Sequence, residues 1–266
     1  MTPEGSPITK SIACDSRVDA TLIPMKKFEN IQAITFDVGN TLLRPYPSVG
    51  VVMSEVLQRF GHEIPATTLD REMGAFNRYY TAEYNKVDSF WAEEARQREM
   101  WINGFAQVCR SVGIERDLDA ISQACYDEFD VSGRWKLFEG VEATLAELQK
   151  RGYRMGIISN WGVGLAELLD DIGVGQYFET VTASAAAGVH KPMPHAFYVT
   201  LDAMGVLPDE AVHVGDHLTA DVEGSAAIGM HPVLVRYKGF EDPTAGGDWI
   251  KQVPVITKFP QLLDLL

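Results

Sequence analysis

The segment Ile34-Thr35-Phe36-Asp37-Val38-Gly39-Asn40-Thr41-Leu42-Leu43 runs an apolar strand straight into an aspartate and a loop of small residues. A carboxylate at the carboxyl end of a buried strand stands where open α/β sheets bind their ligands. Ionised Asp is rarely buried unless it is paired or bound to metal, so its place there needs a cause. Asp37 could be a nucleophile whose covalent intermediate splits one hard step into two easier ones. It could equally cap the following loop through an Asx-turn. Taken alone, the segment fits both.

The rest of the chain gives that strand its setting. Downstream of Trp135, helical and strand-like patterns alternate: helices over 140–150, 163–172, 194–204 and 220–228, strands over 153–159, 178–183, 211–215 and 231–237. Such alternation builds a parallel sheet with helices on both faces. Between the first strand and this series the period is helical. Val51, Val52, Val56, Leu57 and Phe60 form one apolar stripe, and Thr67-x-x-Asp70 reads as a capping box opening a second helix. A third helix is expected from Asp88 to about Val112, and a fourth over 118–129. Their aromatic residues, Tyr80 and Trp91 among them, fit the inside of a helical bundle before they fit a substrate box.

Three later segments bear on Asp37. Met155-Gly156-Ile157-Ile158-Ser159-Asn160 is a strand ending in a hydroxyl and an amide, and His190-Lys191-Pro192 follows a small-residue stretch. Val212-His213-Val214-Gly215-Asp216 is a strand ending in Gly-Asp, with Asp221 five residues on. Singly, Ser159 could be a helix N-cap, Lys191 a solvated charge and Asp216/Asp221 a loop and a cap. In this order, at strand ends, the set resembles the four motifs of the haloacid dehalogenase (HAD) superfamily of hydrolases over roughly residues 30–240. The resemblance implies a Rossmann-like core over 30–46 and 136–266, with an inserted helical cap over 47–135. It implies Asp37 as nucleophile, Ser159 and Lys191 holding the transferred group, and substrate contacts from Thr41 and Asn160. It also implies Mg²⁺ on Asp37, Asp216 and the Gly39 carbonyl, with Asp221 close by.

Physical chemistry is consistent with those implied roles. Mg²⁺ prefers oxygen ligands, and converging carboxylates repel one another unless a cation stands between them. A lysine, a hydroxyl and Mg²⁺ suit the charge that develops on a transferring phosphoryl group. One position departs from the phosphatase pattern. Most phosphatases of the superfamily carry a second Asp two residues after the nucleophile, as general acid and base; here it is Gly39. Such a group is typically worth about 10²- to 10⁴-fold in rate. A Mg²⁺-dependent phosphatase of a small phosphorylated metabolite is therefore expected. The alternatives are a catalytically weak binding or scaffold protein and, more remotely, a C–X hydrolase such as a 2-haloacid dehalogenase.

Composition narrows the partners. A net charge of −14 argues against nucleic acid and anionic membrane surfaces. No apolar run has the length needed to span a membrane. Cys14, Cys109 and Cys125 show no paired spacing, so a reduced, cytoplasmic setting is expected. Residues 1–29 are expected to be a flexible extension, since they lack periodicity and a signal core. The oligomeric state is not legible.

Overall fold

The computed structural model describes residues 27–84, 86, 90–240 and 253–266. Residues 1–26, which include Cys14 and most of the expected extension, lie outside the described residues, as do Asp88 and residues 241–252. The chain opens with β1 (Ala33–Phe36) and a short strand β2 (Leu43–Pro45), then helices α1 (Val49–Arg59), α2 (Ala66–Tyr84), α3 (Glu94–Ser111) and α4 (Leu118–Glu128). It returns through β3 (Trp135–Leu137), α5 (Val141–Lys150), β4 (Arg154–Ser159), α6 (Leu165–Ile172), β5 (Thr180–Ala183), α7 (Ser184–Ala187) and α8 (Pro194–Met204). The last elements are β6 (Ala211–Gly215), a π-helical turn (Leu218–Glu223), α9 (Gly224–Ala227), β7 (His231–Val235) and β8 (Val255–Ile256).

Among the described residues six strands form one sheet in the order β5-β4-β1-β6-β7-β8, every pair parallel. Covered on both faces, such strands read as apolar runs rather than alternations, and all four residues of β1 are buried. The chain builds β4 and β5 on one side of β1, then crosses to lay down β6, β7 and β8 on the other. At this reversal the carboxyl ends of β1, β4 and β6 flank one crevice. On one face Ile34, Phe36 and Met155 pack with Phe259 and Leu262; on the other Ala33 and Ile158 pack with Phe197, Leu201 and Met204 of α8.

Helices α1–α4 bury a separate apolar cluster of Met53, Leu57, Leu69, Phe76, Phe105, Val108 and Ile121. The antiparallel ribbon β2–β3 closes the two ends of this insertion, pairing Leu43 with Leu137 and Pro45 with Trp135. Three-residue strands carry too little periodicity to be read from sequence, which is why the ribbon was not expected. β8 was missed for the same reason. Residues 27–29 are tied down: the Phe28 N–H donates to the Leu265 carbonyl at 2.9 Å.

Other differences have local causes. α2 begins at Ala66, one residue before Thr67, and Asp70 turns away to the neighbouring helix. Its carboxylate accepts from Ser48 Oγ (3.0 Å) and the Gly50 N–H (2.8 Å), so it satisfies the first turn of α1 instead of its own. α3 starts at Glu94 after a 3₁₀ turn over Phe90–Ala92. The helix expected over 220–228 is a π turn followed by α9, a distortion often found at functional sites. The Leu-rich C-terminus is a 3₁₀ helix, Phe259–Asp264.

The contact of α2 with α3 depends on Gly104. A Cβ there would lie 2.4 Å from Phe76 Cε2, and that ring is itself held by Trp101 and Phe105. Gly104→Ala gains up to about 1 kcal/mol of helix propensity but forces an overpacked contact worth about 1–3 kcal/mol. The variant should be destabilised, with a lower urea midpoint; an unchanged or higher midpoint would show that the interface has slack.

Candidate active site

Four strand ends and the loops behind them deliver the site. Asp37 follows β1 directly and its N–H donates to the Val214 carbonyl of β6, which extends the ladder one residue beyond the strand. Ser159 ends β4 and donates its hydroxyl to Asp37 Oδ1 at 3.0 Å. Lys191 lies in the loop before α8, and its Nζ donates to Asp37 Oδ1 at 2.8 Å and Asp221 Oδ1 at 2.6 Å. The lysine is 1 % exposed, Asp221 2 % and Asp37 8 %.

A buried ammonium must be neutralised, and here two carboxylates do it. Burial, the largest influence on Lys191, favours its neutral form. Asp221 and Asp37 outweigh that and push it up to about 12. Burial likewise opposes ionisation of Asp221, but Lys191 and His213 overcome it and hold the carboxyl well below its usual range. Lys191 and Asp221 are therefore charged across the physiological range.

Asp221 reaches this position because of Gly215. A Cβ on that residue would lie 2.2 Å from the Asp221 carboxyl group, so only glycine lets the carboxylate tuck against the end of β6. The His217 N–H donates to Asp221 Oδ2 at 2.8 Å, and His217 Nδ1 accepts from the Ala220 N–H at 3.1 Å. The π turn thus carries Asp221 inward. Asp216 is less buried and accepts from the Thr41 hydroxyl at 3.4 Å.

The two expected substrate contacts make firm protein contacts. Thr41 is fully buried, its hydroxyl on Asp216 and its carbonyl accepting from Tyr237 Oη at 3.0 Å. Asn160 Nδ2 donates to the Lys191 carbonyl at 3.0 Å, and its Oδ1 accepts the Lys191 N–H at 2.8 Å. That double bond pins the backbone from which Lys191 extends. Gly39 leaves room beneath the Trp161 indole: a Cβ there would meet Cζ3 at 3.4 Å, an ordinary contact.

One carboxylate oxygen from each of Asp37, Asp216 and Asp221 lies within 4.8 Å of the others. These hard oxygen donors fit a divalent cation such as Mg²⁺. Three carboxylates against the one ammonium of Lys191 leave a net charge of about −2, which such a cation would offset.

Sequence reasoning missed residues behind and above the carboxylates. His213 and Thr35 face each other across β6 and β1, with Nδ1 and Oγ1 2.8 Å apart, and His213 Nε2 lies 3.2 Å from Asp221 Oδ1. Both are polar residues inside apolar strands, which was the signal that could have found them. From the helical insertion, Tyr84 packs its ring 5.4 Å from that of His217. Tyr80 beside it is kept protonated by burial first, then by the fields of Tyr84 and Asp216.

The chain matches the sequence model of the haloacid dehalogenase-like hydrolases over residues 31–229. It is 31% identical over 240 residues to the haloacid dehalogenase-like hydrolase domain-containing protein 3 of Bos taurus, covering 89% of this chain and 94% of that one. It is 27% identical over 234 residues to the phosphoserine phosphatase of Thermus thermophilus, covering 82% and 94%. The magnesium-bound HAD hydrolase YfnB of Bacillus subtilis shares the fold with a TM-score of 0.69 at 20% identity, covering 91% of this chain and 99% of its own. No helix among the described residues is long and apolar enough to cross a membrane.

The buried histidine makes acid stability a test of this geometry. Burial, the main influence, holds His213 below its usual value. The unfolded chain therefore takes up that proton first. The contribution of His213 is intact above about pH 6.5 and is lost as pH falls from there. Asp221 is also held low, so its contribution disappears only on the acid side of about pH 4. Metal-free protein should lose urea stability between about pH 7 and about pH 5, and His213→Gln should flatten that dependence. Equal slopes for the two proteins would contradict the assignment.

Proposed function

The chain belongs to the haloacid dehalogenase-like hydrolase family, and from that premise we propose that it is a Mg²⁺-dependent phosphatase of a small phosphorylated metabolite, acting through a covalent phosphoryl intermediate on Asp37. The observation that carries this reading is the junction of Ser159 and Lys191 on one oxygen of the Asp37 carboxylate. Two donors on Oδ1 fix the carboxylate's rotation, which a nucleophile aimed at phosphorus requires. The phosphatase name of the Thermus thermophilus relative supports the reaction class.

In this reading a carboxylate oxygen of Asp37 attacks phosphorus, the bond to the substrate's leaving oxygen breaks with that oxygen taking a proton from solvent, and an acyl phosphate forms. Ser159 and Lys191 then turn their donors to the phosphoryl oxygens, where negative charge concentrates. Water attacks the same phosphorus, releasing phosphate and restoring the carboxylate. Asp37, Asp216 and the Gly39 carbonyl, with Asp221 close by, would hold Mg²⁺. The cation would supply charge neutralisation as anionic substrate meets anionic nucleophile. Thr41 and Asn160 serve the substrate indirectly, by orienting Asp216 and the Lys191 backbone.

Residues 47–135 are assigned as a cap on a core of 30–46 and 136–266. Tyr84 of the cap lies against His217 beside the site, so movement of the cap would open a route for substrate. The free, buried Cys109 and Cys125 support a reducing, cytoplasmic setting.

Gly39 shapes the activity. With no acid at that position, turnover should fall steeply as the leaving group becomes more basic, favouring aryl or anomeric phosphates over alkyl ones. Phosphate release from p-nitrophenyl phosphate and a sugar-phosphate panel should require Mg²⁺ over EDTA and vanish in Asp37→Asn. Gly39→Asp should speed alkyl phosphates by up to about 10²-fold. No turnover by folded, Mg²⁺-binding wild-type protein would favour a binding role.

A further inference from the structure

The cap meets the core through a buried polar contact that none of the roles above uses. Gln97, on the first turn of α3, is 3 % exposed. The two N–H bonds of its Nε2 are shared among three acceptors, the Trp91 carbonyl (2.5 Å), Ser184 Oγ at the start of α7 (3.2 Å) and the Trp161 carbonyl (3.3 Å). Ser184 completes the knot, its Oγ accepting the Trp161 N–H at 3.1 Å and donating to the Trp161 carbonyl at 3.3 Å. Three residues earlier, at the start of α3, Glu94 Oε2 accepts the Val163 N–H at 2.9 Å. Gly162 lies between these two grips, and a Cβ on it would come within 3.1 Å of Glu94 Oε1. A side chain there would press the carboxylate back by a few tenths of an ångström.

The gripped segment, residues 161–163, directly follows Ser159 and Asn160. Ser159 holds Asp37, and Asn160 holds the Lys191 backbone. Trp161 itself lays its indole beside Gly39 and 4.9 Å from the Trp135 ring. A burial-grade amide and a carboxylate from the cap thus fix the main chain from which two site residues extend. Simple cap-to-core adhesion would be served as well by apolar side chains, without the cost of burying an amide.

We propose that Gln97 and Glu94 are positioning residues: seated on residues 161–163, they hold the Ser159–Asn160 segment, and through it Lys191, in the geometry needed for phosphoryl transfer. Displacing the cap releases this grip, so the anion-binding side of the site is fully shaped only when the cap is down. The positioning effect on catalysis rests on the phosphatase reading; the mechanical link from α3 to Lys191 does not.

The test uses the full-length chain with Gln97→Leu, Glu94→Ala and, as the conservative control, Glu94→Gln, whose amide oxygen can still accept the Val163 N–H. Hydrogen exchange is read by NMR, without Mg²⁺ or substrate, at the amides of Trp161 and of Lys191. Kinetics with p-nitrophenyl phosphate and Mg²⁺ are read alongside. Gln97→Leu and Glu94→Ala should raise exchange at both amides about tenfold, Glu94→Gln should not, and the amides of β1 and β6 should stay protected. kcat should fall about tenfold in the same two variants and recover in Glu94→Gln. Unchanged exchange at Lys191, or a uniform rise that includes β1 and β6, would overturn the link and leave Gln97 as a packing residue. If wild-type protein has no phosphatase activity, the exchange result still decides the mechanical link, and only the catalytic consequence falls.

Discussion

The site is organised by one buried ammonium. Lys191 Nζ sits between Asp37 and Asp221, with bonds of 2.8 and 2.6 Å, almost out of contact with solvent. Removing one member of such a buried pair typically costs about 3–5 kcal/mol, because the partner is left charged and unpaired. The surrounding structure reads as what is required to keep that arrangement. Gly215 gives up a side chain so that Asp221 can approach, His213 and the His217 N–H occupy its oxygens, and Asn160 clamps the Lys191 backbone.

This arrangement follows from topology. The sheet places β1 between β4 and β6, so the Asp37 carboxylate, a hydroxyl and an acidic loop arrive at one crevice without any long loop having to be ordered. Lys191 comes from the loop before α8, beyond the outer strand β5, and is brought home by Asn160. The helical insertion enters and leaves through the β2–β3 ribbon, close to Asp37, so its aromatic residues can approach the site. Preorganised charge of this kind, shielded from water, is the environment in which electrostatic stabilisation of a developing oxyanion is strongest.

The core strands and the motif residues at their ends were legible because burial on both faces makes the strands largely apolar, with Asp37, Ser159 and Asp216 standing out as polar residues where those runs end. Thr35 and His213 broke the run as well, yet isolated polar residues in strands give no hint of their partners until register pairs them. Asp70 satisfied a capping-box pattern but serves the neighbouring helix, because local patterns cannot tell intrahelical from interhelical acceptors. Gln97 and Glu94 were invisible for a related reason: apart from the Trp91 carbonyl, their partners lie some sixty residues away or more, and no local spacing encodes them. The π turn that carries Asp221 inward presents it to Lys191, a partner thirty residues away that no local pattern supplies.

The central claim is that Asp37 becomes covalently phosphorylated. It is tested most directly by quenching the protein during turnover, reducing with borohydride and mapping the peptide that contains residue 37 by mass spectrometry. An acyl phosphate on Asp37 is reduced by borohydride to homoserine at that position, and this account predicts homoserine there in the presence of substrate and Mg²⁺ and nowhere in the absence of substrate. Phosphate release with Asp37 recovered unmodified would contradict it, and would mean that the carboxylate gripped by Ser159 and Lys191 does something other than attack phosphorus.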